Sequence, residues 1–383
     1  MKTVGVICEY NPFHLGHARQ FHLIRQLLGN DTRIVCVMSG NYVQRGMPAM
    51  WDKSVRAAAA LHCGADLVLE LPITGVLQSA EGFARAGVDI LSRMGCVDIL
   101  CFGAECGSAE MLMEMAKRMD DPAVIAELKE KMEQGLPYAA ARQAAIGDDH
   151  DLLRGPNNIL GLEYCRAIIH LNSNLIPMAV TRNGDYHAFD ADQNEPSATA
   201  VRNLYPGGNW KDFVPEEAAR LFDQAPWYHI SFGERALLAR LRGLSDEEWM
   251  SCAHGTEGLW SKAMHAARSA SSYEAMIDQV KSKRYPRTRI QRLLLCAYLG
   301  LSAQNLKLPI PYVRILAASE VGRDLLRIAR KQENLLLINA GQTPPDTDYY
   351  RLECRTSDLY TLFSSPSTPP LCQTEKKTRI VLR

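Results

Sequence analysis

The run Thr3-Val4-Gly5-Val6-Ile7-Cys8 is apolar on successive positions, and a proline-containing loop separates it from a helical pattern reaching about Leu28. The unit then recurs. Arg33–Met38 is a second such run, ending in a Ser39-Gly40-Asn41 turn; Asp66–Glu70 is a third, stopped at Pro72; Val97–Phe102 and Ile176–Thr181 follow. Lys53–Cys63, Ala80–Met94 and Ile159–His170 carry helical patterns between them. Runs without polar alternation predict strands covered on both faces. With helix-length spacers, they predict a parallel α/β sheet with right-handed crossovers.

Residues 108–146 read as helix throughout, an insertion or lid over that sheet. After Pro206-Gly207-Gly208 the strand signals almost vanish, and Glu216–Phe222, Gly233–Leu241, Asp246–Ser251, Leu259–Ala270, Tyr273–Val280, Thr288–Leu299 and Glu320–Lys331 read as helices. The pattern therefore predicts a first domain over residues 1–206 and an α-helical C-terminal domain over 207–383. The Ser/Pro/Thr cluster at Ser364–Pro370 reads as a loop or surface arm.

Composition narrows the class. With 383 residues, 47% of them hydrophobic, the chain can bury a large core, which excludes disorder. Lys plus Arg and Asp plus Glu both number 43, so a diffuse polycation is excluded and any nucleic-acid partner must use a local basic patch. The eleven cysteines are odd in number, lie mostly in apolar runs and include no Cys-x-x-Cys pair, which indicates reduced buried thiols and no resident metal. Thr3–Cys8 is too short for a secretory signal and ends at Glu9. No apolar stretch approaches the roughly 18 residues needed to span a bilayer. The expected location is cytoplasmic, with neither membrane nor DNA as a partner.

The segment Ile7 to His17, with His14-Leu15-Gly16-His17 at its end, joins the first strand to the first helix, at the sheet edge where ligands bind in such folds. A helix N-terminus there favours phosphate. Two imidazoles flanking a glycine add donors, and Gly16 would let a triphosphate approach the backbone. Such donors would stabilise charge building on an α-phosphate during in-line displacement. In Ser197-Ala198-Thr199-Ala200-Val201-Arg202, hydroxyls at a helix start with an arginine a turn later suit β- and γ-phosphates, although Ser197 also reads as an ordinary N-cap. Gln44 and Arg45 lie in a polar loop at a strand end. Lys53 and Arg56, one helical turn apart, point the same way, and all four are candidates for holding a substrate. Far along the chain, Lys281, Lys283, Arg284, Arg287, Arg289 and Arg292 form a basic stretch with no acidic residue and with Tyr285 interleaved, a candidate RNA contact.

Taken together, Glu9–His17, Met38–Ala49, Gly64–Pro72, Phe102-Gly103, Pro156–Gly161, residues 182–187 and Ser197–Arg202 resemble the bacterial tRNA(Met) cytidine acetate ligases, relatives of the His-x-Gly-His nucleotidylyltransferases. The resemblance is close over about residues 1–205 and looser beyond. It implies a Rossmann-like sheet of the nucleotidylyltransferase type. It also implies that ATP, with magnesium, activates acetate as acetyl-adenylate without acetyl-CoA. The acetyl group then passes to N4 of the wobble cytidine of elongator tRNA(Met). His14 and His17 would be catalytic. ATP would be held by Ile7, Cys8, Glu9, Tyr10, Asn11, Pro12, Phe13, His14, Leu15, Gly16, His17, Ala18, Arg19 and Gln20, with Gly103, Asn157, Arg182 and Asn183. The match departs at Asn183, where an apolar residue is expected, at Leu15, where a small polar one is, and at Ala198, which replaces a second serine.

Two other readings fit less of the chain. A small-molecule cofactor adenylyltransferase needs neither the basic stretch nor a large helical region. A non-catalytic RNA-binding protein with a nucleotide fold needs no intact His14, Gly16 and His17.

Overall fold

The computed structural model describes residues 1–136, 138–147, 152–153, 155–181 and 196–383. Its strands are β1 (Thr3–Cys8), β2 (Arg33–Ser39), β3 (Tyr42–Val43), β4 (Met47–Pro48), β5 (Leu67–Leu71), β6 (Ile99–Ala104), β7 (Ile176–Thr181), β8 (Val313–Ala318), β9 (Leu337–Asn339) and β10 (Val381–Leu382). The main sheet runs β10-β8-β5-β2-β1-β6-β7, with β9 also on β8. From β5 to β7 every pairing is parallel. The chain builds outward from β1 through β2 to β5, then returns to β6 on the other side of β1. Strand order reverses there, and in such sheets ligands bind beyond the carboxyl ends of the strands at that point.

Successive residues of the inner strands feed two different cores. Ile7, Val35 and Val37 join Phe83, Val88 and Leu91 of helix Ala80–Arg93, together with helices of the second half. Val4, Val6, Ile34 and Cys36 join Phe21 and Ile24 of helix Leu15–Leu28, Ala57 of helix Lys53–His62, and Phe222. Both faces are dry, which is why these strands read as continuous apolar runs. All eleven cysteines are free thiols. Among the described residues no helix is long and apolar enough to cross a membrane.

The expected helices of the second half form, from Glu216–Gln224 to Glu320–Lys331. Helices Ala109–Met119, Pro122–Glu133 and Tyr138–Ile146 occupy the insertion. The expectation of an α-helical region almost without strands after residue 206 is corrected. β8 pairs antiparallel with β5, and β9 and β10 pair parallel with β8, so the sheet draws on both halves of the chain. Helix Thr347–Tyr360 is a further element that the sequence pattern does not reveal. β8 is hidden by Arg314, a charge inside the strand that only a folded partner set makes tolerable. Arg314 is 1% exposed, forms a close ion pair with Glu353 and lies 3.3 Å from Glu375.

The Ser364–Pro370 segment is a loop, exposed at Pro366, Ser367, Pro369 and Pro370 but tied down at its start. Ser364 and Ser365 are buried, the Ser365 N–H donates to the Trp227 carbonyl at 2.9 Å, and Glu375 beyond them is buried. Two boundaries also move. β6 begins two residues later than its apolar run, and the helix expected from Ile159 starts at Pro156, whose missing N–H and fixed φ suit a first helical position.

Candidate nucleotide site

Beyond the end of β1 the chain turns through Tyr10 (φ 45°) and a cis Asn11–Pro12 bond before helix Leu15–Leu28 begins. Tyr10 and Phe13 are buried, and the Tyr10 ring meets both Phe13 and His17 edge-on at 4.8 Å. The Asn11 side-chain oxygen accepts the Met50 N–H at 2.8 Å, tying the loop down. Ile7 and Cys8 remain in the sheet. Ala18 and Gln20 are half-buried in the first helical turns, with Gln20 Nε2 3.7 Å from Cys101 Sγ, and Arg19 is exposed.

His14 is the N-cap. Its Nδ1 accepts the Gly16 N–H at 3.1 Å, while the His14 N–H donates to His17 Nδ1 at 3.2 Å, a capping box made of two imidazoles. A nitrogen that accepts carries no proton, so the network assigns the hydrogen of each neutral ring to Nε2. The rings stack with centroids 3.8 Å apart at 24°. The expectation that helix-start amides meet phosphate is thereby modified. The Gly16 amide is taken by His14 Nδ1, and those of His17 and Ala18 by the His14 carbonyl. The imidazole Nε2–H groups are the donors the motif can offer. A Cβ at Gly16 would lie 3.0 Å from the His14 ring, so the glycine makes room for the imidazole.

Ser197, Thr199 and Arg202 come to this loop from helix Ala198–Leu204. Ser197 Oγ accepts the Ala200 N–H as the N-cap; Arg202 donates to the Asn11 carbonyl and, at 3.0 Å, to Thr199 Oγ1. Glu9, half-buried one residue past β1, accepts the Gln44 N–H at 2.6 Å. Burial raises its pKa, opposed by the Gln44 N–H and by the charges of Arg45, Arg56 and Arg202. Four of the predicted residues, Gln44, Arg45, Arg56 and Arg202, thus converge on the residue that precedes the histidine loop.

Lys53 and Arg56 are placed differently from a substrate-holding pair. Both are buried. Lys53 reaches Glu70 at 2.8 Å and Glu375 at 2.5 Å. Arg56 donates to the carbonyls of Trp51 (2.9 Å), Glu9 (2.5 Å), Ser39 (3.1 Å) and Gly40, joining the loops that follow β1 and β2. Charged residues a turn apart read as a surface pair in sequence; here each has an internal partner set.

Gly103 lies in β6, opposite Val180 of β7. Asn157 opens helix Pro156–His170, where its backbone N–H and Nδ2 donate to Glu105 Oε1 at 3.0 and 2.8 Å, and the Asn158 N–H donates to Oε2 at 2.6 Å. Glu105, which sequence reasoning misses, thus holds the start of that helix next to the end of β6; its one signal is a carboxylate standing two residues past Gly103. Arg182 and Asn183 lie outside the described residues. Among the described residues no group of three or more His, Cys, Asp or Glu stands together to hold a metal ion.

In the basic stretch Lys281, Lys283 and Arg284 are exposed, and the other three are partly covered. Arg287 pairs with Glu274 at 2.6 Å and Arg289 with Glu257 at 2.8 Å. Burial lowers the Arg292 pKa to about 10. Tyr285 has Lys262, Arg284 and Arg289 within 6 Å of its ring. Helix Arg287–Leu299 packs directly on the β3–β4 hairpin, where a Cβ on Gly46 would lie 2.5 Å from the Arg292 nitrogen.

A profile described as HIGH Nucleotidyl Transferase matches residues 1–375. The tRNA(Met) cytidine acetate ligase of Acetivibrio thermocellus is 33% identical over 366 residues, covering 88% of each chain. That of Kosmotoga olearia is 33% identical over 431 residues, covering 100% of this chain and 99% of its own. The crystal structure of apo Thermotoga maritima TmcAL superposes with a TM-score of 0.91 at 28% identity, and a form bound with alpha-thio ATP with 0.89 at 29%; both cover 100% of each chain.

Proposed function

The chain belongs to the tRNA(Met) cytidine acetate ligase family of HIGH nucleotidyl transferases, and on that premise we propose that it activates acetate with ATP and acetylates N4 of the wobble cytidine of elongator tRNA(Met). The observation that carries this reading is the stacked His14–His17 pair, each Nδ1 accepting a backbone N–H, beside the point where strand order reverses.

The reaction implied by the family, set on this geometry, runs in two steps. ATP, with magnesium carried on its phosphates as part of the substrate, lies along the Ile7–Gln20 segment beside Gly103 and Asn157; the family resemblance adds Arg182 and Asn183 to its contacts. An acetate oxygen attacks the α-phosphorus, the bond to the β-bridging oxygen breaks, and pyrophosphate leaves. The Nε2–H groups of His14 and His17 donate to oxygens that gain charge in that displacement, where fixed donors act without reorganising. Ser197, Thr199 and Arg202 flank the departing phosphates. Cytidine N4 then attacks the acetyl carbonyl, the carbon–oxygen bond to AMP breaks, and N4 loses a proton. The exposed Lys281, Lys283 and Arg284 engage the RNA backbone. Gln44 and Arg45 sit between the two partners. Lys53 and Arg56 act through the loops they hold. The free thiols fit a reducing compartment, and we place the enzyme in the cytoplasm.

Acetate-dependent exchange of labelled pyrophosphate into ATP, with magnesium and without tRNA, tests the first step. Exchange is expected. Activity that appears only with acetyl-CoA would overturn the assignment.

A further inference from the structure

The β3–β4 hairpin touches both halves of the proposed chemistry. In its turn the Gln44 N–H donates to Glu9 at 2.6 Å, one residue past β1, and at its base the Ala49 N–H closes on the Asn41 carbonyl at 2.9 Å. At its tip Gly46, with φ 79°, lies against the backbone of helix Arg287–Leu299. Met47 anchors that tip, its sulfur lying 3.5 Å from Tyr273 Oη and 3.4 Å from Gln291 Nε2. A second strut runs parallel. Gln44 Nε2 donates to the Gln78 carbonyl at 3.1 Å, Gln78 Nε2 to the Leu306 carbonyl at 2.6 Å, and His254 Nε2 meets the Leu77 carbonyl at 2.8 Å.

We propose that this hairpin is the spacer that sets the distance between the acetyl-adenylate and helix Arg287–Leu299, whose preceding loop carries Lys281, Lys283 and Arg284 toward the RNA, with Gly46 and Met47 as positioning residues for acetyl transfer. The inference rests on the tRNA acetylation reading given above. Its physical ground is the tolerance of the second step, because nucleophilic attack requires reacting atoms about 3–3.5 Å apart and a 1 Å misplacement costs on the order of 100-fold. A Cβ on Gly46 would stand 2.5 Å from the Arg292 nitrogen, where ordinary contact begins at 3.4 Å, and the neighbour it meets is helix backbone, which cannot rotate away. The positive φ penalises a side chain there independently. The tip and helix must part by roughly 1 Å, a shift the histidine loop resists through its separate tie from Arg202 to the Asn11 carbonyl.

The experiment compares acetate-dependent pyrophosphate exchange with acetyl transfer to tRNA in wild type, Gly46→Ala and Met47→Ala. Met47→Ala removes the anchor without backbone strain. Both variants should keep exchange within about twofold, while transfer falls about tenfold or more in kcat for Gly46→Ala and by a smaller factor for Met47→Ala. A merely structural role would lower both activities together. Parallel loss in folded protein, or an unchanged ratio in both variants, overturns the spacer. If Gly46→Ala does not fold by circular dichroism, the Met47→Ala ratio decides alone. Wild-type protein that performs exchange but never acetylates tRNA removes the underlying reading instead, so the two failures are distinguishable.

Discussion

His14 and His17 cap one helix for each other: the His14 N–H donates to His17 Nδ1 at 3.2 Å, and His14 Nδ1 accepts the Gly16 N–H at 3.1 Å. Structure and chemistry therefore use different nitrogens of the same rings. His14→Ala or His17→Ala should lower acetate-dependent pyrophosphate exchange by at least two orders of magnitude, the effect of removing one charge-stabilising donor worth about 3 kcal/mol. Loss of the cap should cost only about 1 kcal/mol of stability. Exchange near wild type in both folded variants would remove the rings from the mechanism.

Arg56 joins four backbone carbonyls. A lysine carries one ammonium and cannot span them, and a buried carbonyl left without a donor costs about 1–3 kcal/mol. Arg56→Lys should lower the urea-unfolding free energy by about 3 kcal/mol and raise the KM for ATP, because the Glu9 and Gly40 loops lose their common tie. Stability and KM both unchanged would show that the guanidinium is dispensable.

His254 makes folding sensitive to acid. Burial and the neighbouring Arg292 lower its pKa from 6.5 to about 4. The folded chain keeps this ring neutral while the unfolded chain protonates it below 6.5. Its stabilising share is therefore complete above pH 6.5 and lost as pH falls toward 4. The loss should reach about 2 kcal/mol, allowing for partial exposure. His254→Asn, which tolerates the left-handed backbone at this position (φ 66°), should be less stable at neutral pH. Its urea midpoint should drop less between pH 7 and pH 5. An equal drop in both proteins would discard the residue as the sensor.

The basic stretch divides by exposure. Arg287 and Arg289 are partly covered beside Glu274 and Glu257, whereas Lys281, Lys283 and Arg284 are exposed, Arg284 at 3.8 Å from Glu257. Replacing those three by alanine should weaken tRNA binding and flatten the logarithmic salt dependence by about 0.7–0.9 for each phosphate no longer neutralised. Arg287→Ala should have the smaller effect. Pyrophosphate exchange should stay near wild type. Unchanged affinity and slope in the triple variant would move the RNA site elsewhere.

The sequence reveals what local pattern encodes. β1, β2 and β5 are legible because strands dry on both faces carry no polar alternation, and helix Leu15–Leu28 because its histidine cap follows a strand directly. β8 stays hidden because Arg314 breaks its apolar run, and the carboxylates that neutralise it come from Glu353 and Glu375. Lys53 looks like a surface cation because Glu375 lies 322 positions later. The proximity of Gly46 to Arg292 is likewise a tertiary fact without a local signature. Chemistry carried by consecutive residues can be read; charges satisfied across the fold cannot.

Acetyl transfer to RNA from free acetate is the central claim. Mass analysis of elongator tRNA(Met), after incubation with the protein, ATP, magnesium and isotopically labelled acetate, tests it most directly. One labelled acetyl group on the wobble cytidine, formed without acetyl-CoA and dependent on ATP, is the predicted result. Unmodified tRNA under conditions where ATP is still converted to AMP and pyrophosphate, or an acetyl group that arises only from acetyl-CoA, would contradict it.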